Sequence, residues 1–407
     1  MKHISGGVCA AEGFTAFGMH AGIKPTSMPD RNDLALIYSD VPCHSAGVFT
    51  TNRVKADPVM LDIEQLKDGQ AQAIIANSFI ANACAPEGQE TAKRETVALA
   101  NALPVRQEDV IVSSTGVIGM RLNVEAIEKA IPTLVAGLSK DGSDAAARAI
   151  MTTDTVKKEI SVEFPVGGKT AHIGGITKGS GMIHPHMGTM LCYLTTDAAV
   201  STEMLKKALK ETVRKTFNRI SIDGDMSTND SCVILANGKA GNEEITAEGE
   251  DYDSLLTAML EICTYLARLM ASDGEGASHL ITCRVHNADS EDKAEVISKS
   301  VINSSLTKAA IFGADANWGR VLCAAGYSGA DFDPSKTDIT FSSKSGDLPV
   351  CKNGRGLDFD EDFASKVLAE EEIIINIDLN EEGNEEAICW GCDLTYDYVK
   401  INGDYRT

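Results

Sequence analysis

Strand-like and helix-like stretches alternate along nearly the whole chain, and this interleaving restricts the fold more than any other feature. Runs rich in β-branched and apolar residues read as strands, among them LALIYSD, AQAIIANS, DVIVSS, KEISVEF, KTAHIGGIT, SCVILANG, HLITCRVH and EIIINIDL. Between them, apolar residues recur at helical spacing over 92–103, 123–138, 203–219, 252–271, 293–303 and 318–325. The 252–271 stretch is the longest helix expected. A chain that interleaves the two types in this way builds mixed α/β layers. A polar break at 286–292 (HNADSED) marks a boundary between residues 1–286 and a smaller C-terminal unit, 287–407. The acidic stretch 380–386 reads as a hairpin loop, and 393–401 (DLTYDYVKI) alternates like a strand.

Charge removes several function classes. With 37 Lys and Arg against 59 Asp and Glu, the net charge is −22, opposite to what counterion release on nucleic acid or docking on anionic lipid needs. No apolar run suggests a membrane span, and the start MKHISGGVCAAEGF has no uninterrupted apolar core of a signal peptide. The chain reads as acidic, soluble and cytoplasmic. Its 11 cysteines are odd in number and scattered, unlike a secreted disulfide framework. Only Cys389 and Cys392, in CWGC, form a C-x-x-C. With no second pair and no helix expected after them, they read as structural.

Several motifs dissolve on inspection. PVGGKT (165–170) lacks the first glycine of a phosphate loop and reads as a hairpin turn. No G-x-G-x-x-G follows a strand, and no G-x-S-x-G elbow is present. His184 and His186 have no third ligand nearby, so no metal is expected. The turn ISIDGDMSTNDSCVILANG (220–238) fails the calcium-loop pattern, because loop position 6, counted from Asp223, is Thr228 rather than Gly. Its Asp, Ser, Thr and Asn residues suit a turn closed by side-chain to backbone bonds. KGSGMIHPHMGTML (178–191) crowds Gly179, Gly181 and Gly188 into strand-like text, and Thr189 follows directly. A threonine hydroxyl is a poor nucleophile without a base. Cleavage of the preceding peptide bond would free the threonine's own α-amine for that task, with a pKa of roughly 7.7–8.0. Spacing alone also allows a plain glycine-rich turn followed by a strand.

KGSGMIHPHMGTML resembles the self-cleavage motif of the ornithine acetyltransferases, bifunctional enzymes of arginine biosynthesis. DLALIYSDVPCHSAGVFTTNRVKADPV, SSTGVIG, IMTTDT, DGDMSTNDS, SDGEGASHLI, AAIFGADANWGRVL and WGCDLTYDYVKINGDYRT resemble further family segments in the same order, across essentially the whole chain. The resemblance implies a layered helix–sheet–sheet–helix α/β fold related to the self-cleaving aminopeptidases, with a smaller C-terminal domain whose tail completes the substrate site. It implies autoproteolysis between Gly188 and Thr189 into an α chain, 1–188, and a β chain, 189–407, assembled as two α and two β chains. The implied reaction is ping-pong transfer of acetyl from N2-acetylornithine to glutamate through Thr189, without a cofactor. Some members also accept acetyl-CoA as donor.

By the same resemblance, Thr115 and Gly116 form the oxyanion hole, and Thr152, Lys178, Thr189, Glu275, Asn402 and Thr407 bind the amino-acid substrate. The DGDMSTNDS turn receives no catalytic role. Two departures stand out: Gly188 replaces the family's usual Ala, and Phe79–Ile80 in NSFIANAC replace a Gly–Asn pair. The competing readings are a related threonine amidohydrolase or aminopeptidase with water as acceptor, and an uncleaved binding protein.

Overall fold

Helices form where an apolar stripe coincides with capping residues. Thr202–Lys215 is representative: the Ser201 hydroxyl accepts from the Met204 amide, Glu203 stands in the first turn, and Arg214 and Lys215 in the last. Its Leu205, Leu209 and Val213 are buried. The structure, a computed structural model, describes residues 1–23, 31–184 and 190–403. Within them the expected helices appear at Gly88–Ala100, Val124–Ala136, Thr202–Lys215, Glu250–Ser272, Glu291–Asn303 and Trp318–Gly326.

The strand Leu34–Phe49 organises the larger sheet of nine strands. Its first half pairs with Phe14–Met19 and Gln70–Asn77, its second half with Ser231–Ala236, and a register shift falls between Tyr38 and Cys43. The sheet therefore folds over on itself, and side-chain alternation separates three apolar layers. Ile37, Ile74 and Ile111 from one half meet Ile176, Leu191, Tyr193, Val233 and Leu235 from the other in the middle. Outward-facing Cys192, Leu194, Cys232 and Ile234 pack under helices Thr202–Lys215 and Glu250–Ser272. On the opposite side Leu34, Leu36, Ile75 and Val112 pack under Gly88–Ala100 and Val124–Ala136. The order is helix–sheet–sheet–helix, and each fully buried Leu or Ile contributes roughly 1.5–3 kcal/mol.

A second sheet of seven strands contains Gly346–Lys352, Asp338–Ser343, Glu372–Asp378, Leu280–Ala288 and Glu385–Cys392. Helices Glu291–Asn303, Trp318–Gly326 and Glu361–Leu368 supply the rest of its core. The short strand Ile220–Ser221 joins its edge beside Trp390–Gly391, so the chain crosses between the sheets there. Ion pairs from Arg219 to Glu291 and from Arg268 to Glu372 brace the same junction.

Two expectations are corrected. Residues 380–386 are not a hairpin loop: Leu280–Ala288 inserts between Glu372–Asp378 and Glu385–Cys392, parallel to the first and antiparallel to the second. Residues 393–401 are not a strand. The extended chain ends at Cys392, Thr395 caps a new turn by accepting from the Tyr398 amide, and Tyr396–Asn402 is helical. Glu250–Ser272 is long and apolar enough, by length and hydropathy, to cross a membrane, but it is a core helix. The stripe that raises its hydropathy, including Leu255, Met259, Ile262 and Leu266, is the face that fills the core. PVGGKT is a turn as expected, joining Lys158–Val166 to Lys169–Lys178 at Gly167–Gly168.

Candidate active site

Strand ends converge on the cavity that gathers the candidate residues. Lys178 closes its strand opposite Leu191, Leu191 pairs with Ser231, and Ser231 pairs with Phe49. From the other half of the folded sheet, Val110–Ser114 runs parallel to Gln70–Asn77 and delivers Thr115 and Gly116. Thr115, Gly116, Thr152, Lys178, Glu275 and Asn402, six residues proposed from sequence, all line this one cavity. Gly188, Thr189 and Thr407 lie outside the described residues, as does His186. The chain is described again from Met190, which is on the cavity wall.

Gly116 has φ 133°, and a Cβ there would lie 2.0 Å from the Phe79 carbonyl oxygen, so no other residue fits. The Thr115 amide is already spent, donating to Asn77 O at 3.0 Å. With that amide committed, the hydroxyl is the donor Thr115 has left. Phe79 occupies the first position of the family's Gly–Asn pair and keeps a glycine-like backbone, φ 93°.

A buried charge network holds the opposite wall. Lys178 Nζ donates to Thr152 Oγ1 at 2.7 Å and lies 3.8 Å from Asp154. Asp154, fully buried, also accepts from Lys158 Nζ at 2.8 Å, the Gly179 amide at 2.7 Å and the Thr152 amide at 3.1 Å. Lys158 donates in turn to Asp273 at 2.6 Å. Burial alone would push the Asp154 pKa up, but Lys178, Lys158 and the Gly179 amide outweigh it and hold the carboxyl well below its usual range. For Lys178, burial draws the ammonium's pKa down while Asp154 opposes the shift. On the same side, Glu275 Oε2 accepts from Asn402 Nδ2 at 2.7 Å. A Cβ on Gly181 would sit 2.4 Å from the Glu275 carboxylate, which explains one glycine of the crowded 178–191 segment.

Sequence reasoning missed two participants. Asp154 lies inside the quoted IMTTDT segment, but only Thr152 was singled out. The DGDMSTNDS turn contributes Ser227, Thr228, Asn229 and Asp230 to the cavity wall. Asn229 Nδ2 donates to Ala81 O at 2.6 Å and Ser114 O at 2.8 Å, fixing the strand end that carries Thr115. The density of Asx and hydroxyl residues around Gly224 was the available signal. The two CWGC cysteines do not form a redox pair: Cys389 belongs to the core of the second sheet and Cys392 to that of the first. Burial pushes the Cys389 thiol up to about 12. Among the described residues no cluster of His, Cys, Asp or Glu could hold a metal ion.

The geometry can be set beside known proteins. The ArgJ family pattern matches residues 15–407. The chain belongs to the ArgJ family. The arginine biosynthesis bifunctional protein ArgJ of Caldanaerobacter subterraneus subsp. tengcongensis is 50% identical over 408 residues, covering 100% of both proteins. The protein of that name from Thermotoga neapolitana is 49% identical, over 97% of this chain and 99% of its own. Among solved structures, the arginine biosynthesis bifunctional protein ArgJ from Bacillus halodurans is 41% identical with a TM-score of 0.50. It covers 52% of this chain and 97% of that chain. The cavity described above thus lies in an ArgJ-family protein and is built from both halves of its folded sheet.

Proposed function

We propose that this ArgJ-family chain transfers an acetyl group from N2-acetyl-L-ornithine to L-glutamate by a ping-pong reaction through Thr189, in arginine biosynthesis. The observation that carries the reading is the convergence of Thr115, Gly116, Thr152, Lys178, Glu275 and Asn402 on one cavity whose wall includes Met190, the residue after Thr189.

In this mechanism the chain is cut between Gly188 and Thr189, and the freed α-amine takes the proton of the Thr189 hydroxyl. The oxygen attacks the acetyl carbonyl. The Thr115 hydroxyl and the Gly116 N–H donate to the oxyanion, and losing one such donor typically costs about 10²–10³ in rate. Ornithine leaves with the proton on its α-amine, and the glutamate α-amine then attacks the acetyl-threonine. Lys178 meets the substrate α-carboxylate, helped by the Thr152 hydroxyl it already holds, and Glu275 meets the cationic side-chain amine of ornithine. Asn402 and Thr407 close the site from the C-terminal tail. No cofactor enters, and acetyl-CoA is a second donor to test. The working unit in this reading is two α and two β chains in the cytoplasm.

A denaturing gel and a donor–acceptor assay test the proposal. Two bands corresponding to 1–188 and 189–407, with acetylglutamate formed from acetylornithine only when glutamate is added, are expected. Active protein that stays whole would refute the Thr189 mechanism. Acetate release indifferent to glutamate would indicate the amidohydrolase instead.

A further inference from the structure

The backbone just ahead of the proposed cut is held by one carboxylate. Asp223 Oδ2 accepts from the Met182 amide at 2.5 Å, and its Oδ1 from the Ile183 amide at 2.8 Å and the Asp225 amide at 3.3 Å. Around it, Ile222 N donates to Ile183 O at 2.7 Å, Ile183 bridges to Met226, and His184 Nδ1 lies 2.9 Å from Ser221 Oγ. Met182 has φ 57°, a conformation that costs a non-glycine residue roughly 1 kcal/mol or more and persists only where its surroundings impose it. These partners from Ser221 to Met226 follow Thr189 in the chain, whereas 182–184 precede Gly188. A third element closes the arrangement. Tyr398, on the helix that carries Asn402, donates to Asp223 Oδ2 at 3.3 Å. Burial and then Asp223 push the Tyr398 phenol's pKa up, which keeps it a donor. No described Lys, Arg or His forms an ion pair with Asp223, so its charge is met by these N–H and O–H donors.

We propose that Asp223 is a positioning residue for self-cleavage: by gripping the Met182 and Ile183 amides it sets the course of the chain into the Gly188–Thr189 bond. After the cut, it retains the end of the α chain against the β chain. The inference rests on the Thr189 reading and deepens it. In the step served, the Thr189 hydroxyl oxygen bonds to the Gly188 carbonyl carbon and the C–N bond breaks. The nitrogen takes up the hydroxyl proton as an amine, and water then hydrolyses the ester to a Gly188 carboxylate and a free Thr189 hydroxyl. Carboxylate-to-amide hydrogen bonds are stronger than neutral ones, so the grip on the Met182 and Ile183 amides is a firm one.

The test follows precursor cleavage of the full chain over time on denaturing gels for wild type, Asp223→Asn, Asp223→Ala and Tyr398→Phe, with Thr189→Ala as the uncut control. Thermal melting of each is measured alongside. Asp223→Asn keeps one acceptor oxygen, so the expected order is wild type fastest, Tyr398→Phe next, Asp223→Asn about tenfold slower than wild type, and Asp223→Ala slower again. The melting temperature of Asp223→Asn should stay close to that of wild type, which separates positioning from stability. Wild-type cleavage rates in folded Asp223→Asn and Asp223→Ala would overturn the proposal, as would slowing that only follows loss of folded protein. A wild-type chain that never cuts would overturn the Thr189 reading and this inference together, a result unlike an Asp223 variant that cuts as fast as a cutting wild type.

Discussion

Two buried lysines stand on either side of Asp154, and the structure assigns them separable consequences. Lys158 is fully buried, does not reach the cavity, and makes three bonds: to Asp154 at 2.8 Å, to Asp273 at 2.6 Å and to Val156 O at 3.3 Å. Lys158→Met leaves Asp273 with donors only from Thr155 and Val156, and a buried carboxylate stripped of its cation costs about 3–5 kcal/mol. Lys178→Met removes a cation 3.8 Å from Asp154, a gross attraction of about 4 kcal/mol at an effective dielectric of 20. Asp154 keeps Lys158 and two backbone amides, and the desolvation cost of Lys178 disappears with it, so the net stability loss should stay below about 2 kcal/mol. The cost of Lys178→Met should fall instead on substrate. A lost charged hydrogen bond to the α-carboxylate is worth about 2–3 kcal/mol, or roughly 30- to 150-fold in kcat/KM. The assay pairs thermal and denaturant melting with steady-state transfer from acetylornithine to glutamate, using protein first checked for cleavage on a gel. The reasoning fails if Lys178→Met unfolds as readily as Lys158→Met, or if it keeps kcat/KM within threefold of wild type.

Two further outcomes concern Glu95 and Phe79. Asp62 and Glu95 are both fully buried; burial pushes both carboxyls well up, and the neighbouring Asp62 pushes Glu95 further. A folded-state pKa above the unfolded value gives stability that is complete below about pH 4 and is lost as pH rises toward the folded pKa. The slope is about 1.4 kcal/mol per pH unit per group. Glu95→Gln should therefore raise the melting temperature by an amount that grows as pH rises above about 5, and a pH-independent change would count against neutral burial of Glu95. At Phe79, whose φ of 93° suits glycine, Phe79→Gly should be more stable than Phe79→Ala by about 1 kcal/mol, reversing the usual advantage of alanine. Melting that ranks alanine above glycine would mean the backbone relaxes there.

What the sequence disclosed and what it hid divide along the range of the interactions involved. The helix expected over 252–271 is found at Glu250–Ser272, because its apolar stripe recurs every three or four residues and needs no distant partner to be recognised. The turn at Gly167–Gly168 and the alternating strands were readable for the same reason. The terminal segment DLTYDYVKI misled because its alternation is compatible with a strand. What makes it a helix is a local cap at Thr395 together with contacts 175 and 127 residues away, Tyr398 to Asp223 and Asn402 to Glu275. Asp154 shows the limit most sharply. A single aspartate in a threonine-rich stretch carries no periodic signal, and Lys158 at the head of KEISVEF reads as a solvated charge by every local rule. Their burial follows from Asp273, which approaches from beyond a 23-residue helix. Recognition of motifs could gather the cavity's lining residues, but it could not supply the charge balance that holds them. That balance leaves Lys178 on the cavity wall while Lys158 is committed to the fold.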